Sequence, residues 1–176
     1  MLVIVDNGRN AEEISKFLRV KYEIIPPNKI DSIKASAYVL SDGDVKHKAH
    51  NLKLIEHSKK PVLGIGAGSV FIGVALGAKI KEGKTEKSKT IKVKKACPLL
   101  LNFKKVFGAN DECKYILDDV PEQIDPVAES SNYDYEVFQH AERPLFGVHF
   151  SPTGQNCSEI LNNFVKFVEI WEKYHK

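Results

Sequence analysis

The segment from Pro61 to Val70 contains the residues of this chain that are best arranged for chemistry. Its sequence, Pro-Val-Leu-Gly-Ile-Gly-Ala-Gly-Ser-Val, is an apolar run that turns into a helix through small residues. Such a junction is typical of a nucleophile elbow, because small neighbours tolerate a strained backbone and a helix N terminus stabilises negative charge. The residue at the tip is Gly66, and glycine has no side chain that can attack a substrate.

The glycines of the same segment offer a second kind of chemistry. Glycines between a parallel strand and a helix N terminus can hold a phosphate or carboxylate with backbone N–H groups. The pattern is an incomplete GxGxxG, since Ser69 stands next to the last glycine and no acidic residue ends a suitable next strand. One alternative function is therefore the binding of a small anion or a nucleotide by residues 64–68, with Gly66, Ala67, Gly68 and Ser69 as candidate contacts.

Another alternative is a hydrolase that uses an unusual pair of residues. Ser69 follows the elbow by about one helical turn, and His149 shares a strand face with Ser151 by alternation. A Ser69–His149 pair could supply a nucleophile and a base. The competing interpretation is that His149 is a hydrogen-bonded core residue of a buried strand.

The cysteines predict neither a disulfide frame nor a metal site. Cys97, Cys113 and Cys157 are odd in number and lack CxxC spacing, which is typical of reduced thiols. Cys157 begins the last predicted helix and is most simply a small packing residue.

These candidate residues depend on a predicted α/β framework. Apolar runs at Leu2–Val5, Tyr22–Ile25, Ala37–Leu40 and 61–65 alternate with helical patterns. Alternation of this kind indicates βαβ units and a mostly parallel sheet with helices on both faces. Further strands are predicted at 115–117, 125–129, 135–139 and 145–150 as a small antiparallel addition, and a terminal helix over 155–174.

The lysine-rich segment 79–95 contains the largest charge bias in the chain. It carries eight lysines against Glu82 and Glu86. Lysine on an edge strand discourages aggregation between sheets, so a solvated edge hairpin explains the segment without a partner. An acidic protein or a nucleic acid is the alternative, and such binding would depend on salt.

The bulk composition predicts one soluble domain that spans residues 1–176. The chain is 43% hydrophobic and has a formal net charge of +3, too small for the basic footprint of a nucleic-acid binder. No apolar stretch is long enough for a membrane span, which predicts a cytoplasmic protein. The sequence indicates no cofactor and leaves a homo-oligomer open.

Two motifs together resemble the class I glutamine amidotransferases, and most closely the separate glutaminase subunit of GMP synthase. The first is the strand and elbow from Pro61 to Gly68, followed by Leu76-Gly77-Ala78. The second is the segment from Arg143 to Thr153, which looks like the family's Pro-x-x-Gly-Val-Gln-Phe-His-Pro-Glu. The resemblance implies a flavodoxin-like fold, and it places Gly43 where the family has an oxyanion-hole glycine.

The resemblance fails at the residues that perform the family's reaction. Gly66 stands for the nucleophilic Cys, Ser151 for the catalytic His and Thr153 for its partner Glu, while Val70 replaces a Gln that helps hold the substrate. A hydroxyl group cannot serve as a general base near neutral pH. We therefore predict a catalytically inactive relative that binds a ligand, regulates a process or docks on a protein.

The remaining hypotheses are an active enzyme with a non-standard site and an assembly subunit without a ligand. By analogy with the family, the protein partner would be an ATP-pyrophosphatase-type synthetase subunit.

Overall fold

The computed structural model describes residues 1–151 and 153–175, so that Pro152 of the second motif lies outside the described residues. The strands are β1 (Leu2–Val5), β2 (Gly8–Arg9), β3 (Tyr22–Ile25), β4 (Ala37–Leu40), β5 (Asp42–Gly43), β6 (Val62–Ile65), β7 (Lys79–Glu82), β8 (Lys89–Val93), β9 (Val106–Ala109), β10 (Tyr115–Asp118), β11 (Ile124–Glu129), β12 (Val137–His140) and β13 (Leu145–Val148). The α-helices are α1 (Ala11–Lys16), α2 (Lys48–His57), α3 (Ala67–Ala75) and α4 (Gly154–Tyr174). Short 3-10 turns lie at Pro27–Ser32, Val45–His47 and Pro98–Leu100.

Nine of these strands form one sheet in the order β3-β1-β4-β6-β13-β12-β11-β8-β9. The strands β3, β1, β4 and β6 are parallel to one another, which confirms the predicted parallel sheet. Strand β13, which the sequence predicts over 145–150 in the antiparallel addition, instead pairs parallel with β6 and extends the parallel part. From β12 to β9 the pairing is antiparallel. Two small antiparallel pairs, β7 with β10 and β2 with β5, lie outside the main sheet.

Helices cover both faces of the sheet because successive strand residues point to opposite sides. One core contains Ile4 and Val39 with Ile14 of α1 and Phe164 of α4. The other core contains Val3 and Leu40 with residues of α2 and α3. This two-faced arrangement confirms the fold class that the apolar runs predict.

The terminal helix α4 carries the apolar stripe that its periodicity predicts. Ile160, Leu161, Phe164 and Val168 are buried, and Trp171 is half-buried. No α-helix in the described ranges is both long and apolar enough to cross a membrane.

The parallel strands bring the two sequence motifs side by side. Strand β13 pairs with β6 so that Val148 lies opposite Ile65. The residues that follow each strand, Gly66 and His149, therefore emerge at the same edge of the sheet. This edge is where open α/β sheets bind ligands.

Candidate functional site

The connection from β6 to α3 is a sharp turn with Gly66 at its tip. Gly66 has φ 56° and ψ −119°, a conformation that residues with a Cβ rarely adopt. Its N–H donates to the Val148 carbonyl oxygen at 2.8 Å, which ties the turn to β13. The turn thus lies where the sequence predicts an elbow.

The side chain of Asp42 fills the space in front of this turn. Its Oδ1 atom accepts hydrogen bonds from the N–H groups of Gly43 and Ala67, each at 2.8 Å. A Cβ placed on Gly66 would lie 2.4 Å from Asp42 Cγ, well inside van der Waals contact. The carboxylate therefore accepts from two backbone N–H groups at the elbow. It also occupies the space that a side chain at position 66 would need.

Arg9 covers the outer side of the Asp42 carboxylate. Its Nη1 atom lies 3.1 Å from Asp42 Oδ2 and donates to the Glu112 carbonyl oxygen at 2.8 Å. The Asp42 side chain is 1% exposed, against 42% for Arg9. Burial of a carboxylate is costly unless it is paired and hydrogen-bonded, and these three donors meet that need.

A buried amide network fixes the backbone at Gly43. The Asn7 N–H donates to Ser41 Oγ at 2.9 Å, and Asn51 Nδ2 donates to Asn7 Oδ1 at 2.7 Å. The backbone of Asn7 approaches Gly43 so closely that a Cβ there would lie 1.7 Å from the Asn7 carbonyl oxygen. Position 43 therefore requires glycine.

A cavity of about 600 Å³ opens beside this arrangement. Its lining includes Arg9, Gly43, Lys46, Glu112 and Cys113.

Among the candidate binding residues, Gly43 lines this cavity, while Gly66, Ala67, Gly68 and Ser69 are not part of its lining and are buried. A small anion that uses the Ala67 N–H would have to displace the Asp42 carboxylate.

Ser151 and Thr153 lie next to the connection between β9 and β10. The Ser151 N–H donates to the Asn110 carbonyl oxygen at 2.8 Å. Its hydroxyl is buried and has no hydrogen-bond partner among the described residues. Thr153 is exposed, and its hydroxyl donates to Asn110 Oδ1 at 3.3 Å. Neither side chain supplies an imidazole or a carboxylate to the elbow.

His149 belongs to a buried polar cluster and not to a pair with Ser69. The Ser69 hydroxyl donates to the Gly66 carbonyl oxygen at 2.6 Å. The ring of His149 instead bonds through Nε2 to the Tyr115 carbonyl oxygen at 2.8 Å, an acceptor that Cys113 Sγ shares at 3.6 Å. The geometry favours the core interpretation of His149.

The other ring nitrogen of His149 faces two carboxylates. Nδ1 lies 3.5 Å from Asp111 Oδ1 and 3.7 Å from Glu136 Oε2. Burial alone would lower the pKa of His149, but Asp111, Cys113 and Glu136 outweigh it and raise the pKa well above its ordinary value.

Lys89 completes this cluster, which corrects the prediction of a solvated edge hairpin at this residue, whereas the other seven lysines of residues 79–95 are exposed. Its ammonium group lies 2.7 Å from both carboxylate oxygens of Glu136 and also bonds Asp111. The side chain is 2% exposed, and β8 is paired on both sides instead of lying at an edge. Burial would raise the pKa of Asp111, but His149 and Lys89 hold it below its usual value.

A protein-family model matches this chain along most of its length. The family model described as Glutamine amidotransferase class-I matches residues 3–166. The chain belongs to this family. The matched range includes both the turn at Gly66 and strand β13 beside it.

Relatives of this amidotransferase chain include two archaeal proteins that are each named as one subunit of glutamine-hydrolyzing GMP synthase. The protein of Methanococcus aeolicus is 32% identical, with 94% of this chain and 96% of the relative covered. The protein of Methanocaldococcus jannaschii is 30% identical at the same coverage.

Solved structures show the same amidotransferase fold. A Thermoplasma acidophilum protein assigned provisionally as a GMP synthase subunit has a TM-score of 0.90 at 22% identity, covering 99% of this chain and 96% of its own. A glutamine amidotransferase of Thermotoga maritima has a TM-score of 0.70 at 16% identity, with 97% and 84% covered. At these identities the likeness concerns the fold.

The sequence did not predict the residues that fill the amidotransferase elbow or form the buried cluster. Asp42 directly precedes the predicted oxyanion-hole glycine, but it is 25 residues from Ala67 in the chain, so no local pattern places it at the start of α3. Lys89, Asp111, Glu136 and His149 are far apart in the chain, and no local pattern joins them.

Proposed function

We propose that this chain is a class I amidotransferase relative that does not hydrolyse glutamine and serves as a docking or regulatory component. The observation that carries the proposal is the Asp42 carboxylate, which accepts from the Gly43 and Ala67 N–H groups in front of Gly66. Acyl-transfer enzymes keep such donors free for the oxyanion that develops in the transition state.

The chemistry of the elbow supports this proposal. The oxyanion of a tetrahedral intermediate is stabilised by backbone N–H groups that are not already bonded to an anion. Here the negatively charged Asp42 carboxylate accepts from those N–H groups. Arg9, 3.1 Å from Asp42 Oδ2, holds that charge in place. A substrate amide oxygen would meet an occupied and negatively charged site.

The nucleophile and the base are absent from their expected positions as well. Gly66, Ser151 and Thr153 carry no thiolate, imidazole or carboxylate. Thiolate attack, proton transfer and orientation of the base all require those groups. Replacement of all three favours loss of the reaction over a variant of it.

Docking on a synthetase is the role that the relatives suggest. Each is named as one subunit of GMP synthase, and such a name implies that a further subunit exists. We propose that the present chain binds an ATP-pyrophosphatase-type synthetase subunit without delivering ammonia. Analytical ultracentrifugation of the two proteins together should give a joint boundary, and independent sedimentation at tens of micromolar would contradict docking.

The block at the elbow can be tested by rebuilding the family's residues. We expect the triple variant Gly66→Cys, Ser151→His, Thr153→Glu to release ammonia from glutamine no faster than the buffer background. The Asp42 carboxylate still accepts from the Gly43 and Ala67 N–H groups and fills the space in front of position 66. Adding Asp42→Gly should raise ammonia release at least about tenfold, since even one oxyanion donor is commonly worth 10²–10³ in rate.

The matched control adds Asp44→Gly to the triple variant in place of Asp42→Gly. Asp44 is a neighbouring exposed acid whose carboxylate accepts from the Lys46 N–H. Equal activity of the triple variant with and without Asp42 would show that this carboxylate does not block the site.

A further inference from the structure

The buried cluster beside the elbow contains three side chains that could share one cation. Asp111 follows β9, Glu136 precedes β12 and His149 follows β13. One ligand atom from each of these residues lies within 4.8 Å of the other two. Three separate elements of the fold therefore bring one nitrogen and two carboxylate groups to one point.

The orientation of the His149 ring leaves one nitrogen directed at this point. The Tyr115 carbonyl oxygen can only accept, so Nε2, at 2.8 Å, must carry the proton. A carbonyl partner on one nitrogen is the usual way in which proteins orient a metal-binding imidazole. Nδ1, at the other side of the ring, then faces Asp111 and Glu136.

Nδ1 of His149 has no hydrogen-bond partner among the described residues, although the side chain is only 2% exposed. Without a second ring proton, its lone pair would face the two carboxylate oxygens at 3.5 and 3.7 Å, and all three atoms would be acceptors. Buried polar atoms are rarely left in that state. Either a second ring proton or a metal cation between the three groups would satisfy the atom.

We propose that Asp111, Glu136 and Nδ1 of His149 form a binding site for one divalent transition-metal ion. One imidazole nitrogen and two carboxylates make a mixed N/O ligand set that suits Zn²⁺ and Co²⁺, and it is less suited to Mg²⁺, which prefers oxygen alone.

Lys89 occupies the cation position when no metal is bound. Its ammonium group bonds both Glu136 oxygens at 2.7 Å and also bonds Asp111. A cavity of about 370 Å³, lined by Lys89 together with Lys84, Glu86 and Asn132, adjoins the cluster. This space allows the lysine side chain to move aside, and a 2+ ion then balances the two carboxylates.

The alternative is a purely structural ion-pair network of the same four residues. The two explanations differ in what the intact protein does with metal. A structural network has no affinity for a divalent ion above that of surface histidines and acids.

The test is a calorimetric titration of the full chain with Zn²⁺ and, separately, with Co²⁺, whose absorption spectrum reports its ligands. We expect one equivalent of metal per chain and a rise in Tm with metal concentration, because an ion that binds only the folded state stabilises it. The variants His149→Gln and Glu136→Gln, the second of which is isosteric, should weaken binding at least about tenfold. His50→Gln, a change of an exposed histidine, should leave it unchanged.

The spectrum and the Tm shift of the unaltered protein decide the case even if a cluster variant fails to fold. Metal binding no stronger than that of surface histidines and acids, without a one-equivalent event, would overturn the proposal. Binding with a thiolate-to-cobalt charge-transfer band, or binding that survives in folded His149→Gln, would also overturn it, because the metal would then lie elsewhere.

Discussion

Lys89→Met should destabilise the protein by about 3–5 kcal/mol, the cost expected when one partner is removed from a buried ion pair. The change leaves Asp111 and Glu136, 5% and 1% exposed, facing each other without the ammonium that both contact. Methionine preserves most of the side-chain volume, so the lost unfolding free energy comes from removal of the positive charge and not from a cavity. The measurement is the free energy of unfolding in urea.

The control for this change is Lys94→Met, at the residue that follows the same strand. Lys94 pairs with Glu129 at 3.2 Å, but the two side chains are 47% and 35% exposed. Such surface pairs contribute at most about 1 kcal/mol. Adding Glu136→Gln to Lys89→Met should recover part of the lost stability, and equal small losses for Lys89→Met and Lys94→Met would refute a tightly coupled buried cluster.

Gly66→Cys should cost about 2–4 kcal/mol of unfolding free energy, from backbone strain and overpacking together. The new Cβ would lie 2.4 Å from Asp42 Cγ, and the backbone has a positive φ of 56°. Asp42→Gly alone should also destabilise, since it leaves Arg9 and two N–H groups without their partner. The double variant Gly66→Cys, Asp42→Gly should nevertheless lose less unfolding free energy than the two single variants lose together. The expected difference is about 1–3 kcal/mol.

The matched control is Gly154→Cys, which separates backbone strain from the clash. Gly154 has a similar φ of 52°, with nothing within 4 Å of an added Cβ. Its cost should be about 1–2 kcal/mol, the penalty of a left-handed conformation alone. If the unfolding free energies lost by Gly66→Cys and Asp42→Gly are additive in the double variant, the two positions are not in contact.

Most of the framework could be predicted from local sequence because its strands are short apolar runs. Leu2–Val5 and Ala37–Leu40 are buried throughout, and their predicted bounds agree with the structure. Strand β9 was missed because it is only partly buried and has no consistent apolar side. Its pairing with β8 depends on partners distant in the chain.

The position of the elbow could be predicted, but its occupant could not. The glycines between Ile65 and Ser69 indicate the turn from composition alone. The direction of the Asp42 side chain depends on how β4, β5 and the start of α3 lie in space, which no local pattern gives. For the same reason the lysine-rich composition of residues 79–95 gave no sign of the burial of Lys89, which depends on Asp111 and Glu136 from distant parts of the chain.

Ammonia release from glutamine by the unaltered chain decides the proposed function, which requires that this chain does not hydrolyse glutamine. The assay should include the protein alone and with an ATP-pyrophosphatase-type synthetase, and an active glutaminase subunit of GMP synthase should serve as positive control. In both cases we predict that ammonia is released no faster than in buffer alone, because the Asp42 carboxylate already accepts from the Gly43 and Ala67 N–H groups. Release that depends on this chain, and that Cys113→Ser or His149→Gln abolishes, would contradict the claim and identify a substitute nucleophile or base.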